Sequence, residues 1–110
     1  MKVDKKGHTT IIKDTQGNVV SFLEKVTNEL GSFKTQNIIL DVTHNKNVTL
    51  KDIKAFSSLS KLHRKEKKSF VIVAENIDFN EVPTKLIVVP SLLEAHDIIE
   101  MEEIERDLGF

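Results

Sequence analysis

With 110 residues, 39% of them hydrophobic and 30% charged, the chain has the size and composition of one globular domain, which excludes a pair of domains around a catalytic cleft and a disordered segment. The absence of cysteine excludes disulfide frameworks, thiolate zinc sites, iron–sulfur clusters and thiol nucleophiles. Sixteen basic against seventeen acidic residues leave a net charge of −1, so no overall field draws the chain to nucleic acid or anionic lipid; no apolar run approaches the ~20 residues of a membrane span, and Met1–Lys6 leads into no signal-peptide apolar segment, so a soluble cytoplasmic protein is expected.

In chain order, Thr9-Thr10-Ile11-Ile12-Lys13-Asp14 is β-branched and closed by the turn-rich Thr15-Gln16-Gly17-Asn18, which predicts a strand, placed at a sheet edge. Ser21-Phe22-Leu23-Glu24 has the spacing of a capping box and predicts a helix start. Phe22, Val26, Leu30 and Phe33 then form its core face, and Gly31 is available as a left-handed cap. Asn37-Ile38-Ile39-Leu40-Asp41-Val42-Thr43 reads as a continuous apolar run and predicts a central strand covered on both faces. After the polar loop His44-Asn45-Lys46-Asn47, Thr49 is placed to cap a second helix, with Asp52 three residues on. Its apolar positions Leu50, Ile53, Phe56, Leu59 and Leu62 oppose a solvated stripe of Lys51, Lys54, Ser58, Lys61 and Lys65. Ser69–Ala74 and Leu86–Val89 predict two further buried strands, separated by the acidic stretch from Glu75 to Pro83. Ser91-Leu92-Leu93-Glu94 predicts a last helix running to about Leu108, with Gly109 as its cap. The order β-α-β-α-β-β-α, with no repeat or linker, predicts a single α/β domain over residues 1–110, a small mixed β-sheet flanked by three helices.

Few residues offer chemistry. His8, His44, His63 and His96 lie in four different elements, without metal-ligand spacing. Glu75, Asp78 and Glu81 lack the spacing of a calcium loop, the four glycines form no phosphate loop, and no serine sits in a nucleophile elbow. No metal, no cofactor and no enzymatic activity are therefore expected. Charge distribution says more: Lys46–Lys68 holds eight basic against two acidic residues, and Glu94–Leu108 seven acidic against one basic. Read as solvated helix faces these need no partner, with Glu102 and Arg106 forming an i,i+4 pair. Read as steering surfaces they attract a partner or a second copy of the chain. Without tyrosine or tryptophan, and with phenylalanines mostly at core spacing, the basic helix has no stacking platform for nucleic acid.

The run Ile38-Ile39-Leu40-Asp41-Val42-Thr43, the polar loop after it and the helix opened near Thr49-Leu50 resemble the STAS family, to which anti-sigma factor antagonists belong. The likeness extends to Leu93-Glu94-Ala95 at the start of the last helix. It implies a small mixed sheet flanked by helices and a role in docking onto a partner. In the family an Asp-Ser-Ser-Gly stretch carries a switch serine; the matching positions here read Thr49-Leu50-Lys51-Asp52, with Leu50 in the serine's place. The resemblance thus implies docking without that phosphoserine switch, and the Glu75–Lys85 connection lacks the family's helix. The segment Glu94–Phe110 also resembles the end of short bacterial proteins carrying a ribonuclease Z label. That family binds two zinc ions through an H-x-H-x-D-H cluster; this chain has no H-x-H, so the likeness implies an accessory role in RNA processing rather than cleavage.

The leading expectation is a non-enzymatic, STAS-like interaction and regulatory module of the bacterial cytoplasm that docks an acidic protein. Its partner-binding residues are His44, Asn45, Lys46, Asn47 and Thr49 in the loop and Lys51, Lys54, Lys61 and Lys65 on the helix. Self-assembly, basic helix to acidic helix, is the competing use of the same charges; neither nucleic acid nor a membrane is the expected partner.

Overall fold

The computed structural model describes residues 1–109. Strand β1 (Lys2–Lys6) turns back through Gly7-His8 into β2 (Thr9–Lys13). Gly7, at φ 59°, takes the first central position of this two-residue turn, where a tight hairpin favours glycine. The remaining elements are α1 (Val19–Glu29), β3 (Asn37–Asp41), α2 (Leu50–Lys54), α3 (Ser57–Lys65), β4 (Phe70–Val73), β5 (Ile87–Val89) and α4 (Leu92–Asp107). The strands lie in chain order, β1-β2-β3-β4-β5, with β1 antiparallel and β2 to β5 parallel. The result is an α/β fold in which helices cover a five-stranded mixed sheet.

Because each parallel strand is added beside the last in the same direction, right-handed connections bring all three crossovers to one face. There Val19, Phe22 and Val26 of α1, Leu30 just after it, Ile53 of α2 and Leu59 of α3 pack on Ile12, Ile38, Leu40, Phe70 and Ile72. The β4–β5 connection has only a 3₁₀ turn, Phe79–Glu81, and covers its share of this face with Leu86 and the half-buried Ile77 and Val82. Helix α4 alone covers the other face, setting Ala95, Ile98 and Ile99 on Ile39, Val71, Val73, Ile87 and Val89.

Several expectations change. Strand β2 is internal, because the charged segment Lys-Val-Asp-Lys-Lys pairs along it as β1 although every one of its residues is exposed. Helix α1 begins earlier than Ser21: the Asn18 side chain accepts from the Ser21 amide at 3.1 Å, drawing Val19 and Val20 into the first turn. Gly31 is no left-handed cap; it lies in a 3₁₀ turn, Leu30–Phe33, that continues α1. The long second helix is broken into α2 and α3 at Ala55-Phe56, where the Phe56 amide bonds the Ile53 carbonyl, three residues back, and the fully buried ring meets Phe22 edge-on at 6.3 Å. The caps at Thr49, Ser91 and Gly109 fall where expected.

Candidate functional site

The expected docking loop leaves the carboxyl end of β3. Asp41 shapes its start, accepting from the Thr43 amide at 2.9 Å and the Thr43 hydroxyl at 2.6 Å, and Asn45 accepts from the Asn47 amide at 2.9 Å. Such side-chain turns fix a loop without secondary structure. Buried Val48 anchors its far end. Thr49 and Asp52 then form a reciprocal box, with Asp52 N–H to Thr49 Oγ1 at 3.2 Å and Thr49 N–H to Asp52 Oδ2 at 3.1 Å. His44 and Lys46 are exposed, Asn45 half-buried, and Lys46 reaches Glu75 at 3.6 Å across solvent.

The break between α2 and α3 divides the basic stripe. Lys51 and Lys54 stand on α2 beside the docking loop, whereas Lys61 and Lys65 stand on α3, which descends toward the amino ends of β4 and β5. The buried face changes with the break: Leu59, Ser60 and His63 are buried, Leu50 is half-buried, and Leu62, expected in the core, is 57% exposed. His63 Nε2–H donates to the Gln36 carbonyl at 2.6 Å, and the ring packs against Phe70. Loss of water around the ring holds the His63 pKa below its ordinary 6.5, against the opposing pull of the Gln36 carbonyl and Glu66; Arg64 and Lys68 add to the lowering.

Beside α3 the short β4–β5 connection leaves a cavity of about 950 Å³. Ser57, Ser60, Lys61, Arg64 and Lys65 form one wall, and Pro83, Thr84, Lys85, Leu86 and Ile87, entering β5, form the other. Sequence reasoning found Lys61 and Lys65 but missed Ser57, Ser60, Arg64, Thr84 and Lys85. Arg64 counted only toward the basic excess of Lys46–Lys68, and the charge of Lys85 gave no sign of its position opposite α3, which depends on strand order. A second cavity of about 420 Å³ adds Lys67, Lys68 and Arg106 to Arg64, so one end of the molecule is basic on two sides.

Arg64 joins the two faces. Its Nη1 donates to Glu102 of α4 at 3.3 Å and its Nη2 to the Phe70 carbonyl at 3.2 Å. The expected Glu102–Arg106 pair does not form, since Arg106 donates instead to Asn37 Oδ1 at 3.3 Å and Ser69 Oγ at 3.2 Å. On its outer side α4 exposes Leu93, Met101 and Ile104 among its acids, and Leu108 is exposed at its end. Among the described residues no group of three or more His, Asp or Glu side chains is placed to share a metal ion, and no helix is long and apolar enough to cross a membrane. Compared with known proteins, the chain matches no family model and no curated relative.

Proposed function

We propose that the chain is a non-enzymatic protein-interaction module of the STAS type, working without the phosphoserine switch and docking an acidic protein on the side that carries α2 and α3. One observation carries this reading. Lys51, Lys54, Lys61 and Lys65 are all exposed, and none has a carboxylate within ion-pair distance among the described residues. Charge that is not neutralised within the chain is available to a partner, where it raises association rate and fixes register. The mixed sheet flanked by helices agrees with what the resemblance implies, and the loop before Thr49, turned by the Asp41 and Asn45 side chains, offers shape beside Lys51 and Lys54.

The test is capture from a native lysate by the wild type and by a Lys51→Glu, Lys54→Glu, Lys61→Glu, Lys65→Glu variant, with and without ribonuclease, after circular dichroism has shown equal folding. The expected result is a protein retained through ribonuclease treatment and lost with the charge reversal. Identical capture by both baits overturns the assignment. Capture that depends on RNA moves it to an RNA-processing accessory, and salt-dependent sedimentation of the pure chain would identify a second copy as the partner.

A further inference from the structure

We propose that the groove between α3 and the Pro83–Ile87 segment binds a small organic phosphate, its phosphoryl group among the basic side chains and its apolar part along Leu86 and Ile87. This site goes beyond the docking reading, which also rests on Lys51 and Lys54, residues outside the groove.

Size and setting come first. A volume of about 950 Å³ lies within the range of pockets that enclose small molecules. It exists because the β4–β5 connection crosses the sheet face with a single 3₁₀ turn rather than a helix. Charge comes second. Lys61, Arg64 and Lys65 approach from α3 and Lys85 from the opposite wall, and among the described residues only Arg64 has a carboxylate partner, Glu102. Three lysine charges therefore face one space without compensation. A single carboxylate would leave most of that charge unanswered, whereas a phosphoryl dianion, with three acceptor oxygens, can engage lysines from both walls together with the hydroxyls of Ser57 and Thr84.

Unsatisfied polar groups give the third, independent line. Four buried side-chain polar atoms have no hydrogen-bond partner among the described residues, and two of them, Ser60 Oγ and Arg64 Nε, belong to residues lining this groove. Ser60 is only 2% exposed. Buried hydroxyls are satisfied as a rule, so an orphan on the inner wall of a cationic groove points to an acceptor supplied from outside. Arg64 is meanwhile held in place by Glu102 and the Phe70 carbonyl, so its position is set before a ligand arrives. The floor decides between a bare and an organic phosphate: Leu86 is buried, and Ile87 and Pro83 are half-buried, giving an apolar body a surface to cover.

The experiment titrates the isotopically labelled full chain with phenyl phosphate and follows backbone amide shifts, with inorganic phosphate and a single-stranded RNA oligonucleotide in parallel. The expected result is saturable shifts confined to Ser57–Lys65 and Thr84–Ile87, with inorganic phosphate weaker by about tenfold or more. Lys85→Glu should abolish the response and Lys51→Glu should leave it unchanged. Ser60→Ala removes an unsatisfied hydroxyl, so it should keep or raise the urea midpoint while weakening phenyl phosphate by about fivefold or more. Shifts spread over every surface lysine, an equal loss in Lys51→Glu, full binding by Ser60→Ala, or RNA bound through these residues in place of phenyl phosphate would each overturn the site. The first three outcomes leave the docking reading standing, since its test needs no small ligand, whereas RNA bound through these residues would also move that reading to the RNA-processing accessory.

Discussion

The buried imidazole of His63 gives the fold a pH response. Its pKa lies below 6.5 in the folded chain because charging the ring means charging it without water; in the unfolded chain it returns to the ordinary value. Between the two values the unfolded state binds more protons, so stability is complete above about pH 6.5 and falls as pH drops through that window toward the folded pKa. We predict a lower urea midpoint at pH 5.5 than at pH 7.5. A His63→Gln variant, which retains a donor for the Gln36 carbonyl, should start from a lower midpoint but lose less of it over the same interval. Parallel losses in the two proteins would assign the pH response elsewhere. Nothing in the sequence separated His63 from the other three histidines. It lies next to Leu62 in a helix read as continuous, and only the break at Ala55-Phe56 rotates the histidine inward and the leucine out.

At the scale of elements, what could be read depended on whether a local rule held by itself. The apolar runs of β3 and β4 identify central strands because both faces are covered, and Thr49, Ser91 and Gly109 end helices by contacts within a few residues. Strand β1 could not be read: it contributes main-chain hydrogen bonds along β2 and buries no side chain, so it has no hydrophobic period to detect. Nor could the division of the basic stripe, which follows from Phe56 entering the core against Phe22, nor the groove, whose two walls are some 20 residues apart in the chain. The box at Thr49 gives a quantitative expectation. Thr49→Ala should cost about 1 kcal/mol in urea unfolding and speed amide exchange through the first turn of α2, leaving α4 unchanged. An equal change in α4 would mean that the loop is not a local unit.

Across the whole molecule, two apolar layers of unequal depth share one sheet. Arg64 ties them together from α3 to Glu102 of α4, with both side chains largely withdrawn from solvent. Such a tie should behave as a unit. In a double-mutant cycle with Arg64→Ala and Glu102→Ala, the coupling should be about 1 kcal/mol, above the usual yield of exposed pairs, and each single variant should speed amide exchange in α4 more than in α1. Additive effects would show that the two faces are independent. The groove and the second cavity both include Arg64, so the residue that links the layers also stands at the centre of the basic end.

The lone helix over the second face has a consequence for synthesis. When translation has reached Ser91 the chain carries fifteen basic and ten acidic residues, and all three crossovers of the first face already exist. The 16 residues of α4 take about 1–3 s to add at ordinary elongation rates, and until that helix docks Ile39, Val71 and Val73 have no cover. A chain still lacking α4 is both cationic and, once its sheet forms, apolar on one face, which favours contacts with RNA and with other polypeptides. With α4, seven acidic residues arrive on the helix that hides the face, and the net charge of the 110 residues falls to −1 as that face is covered.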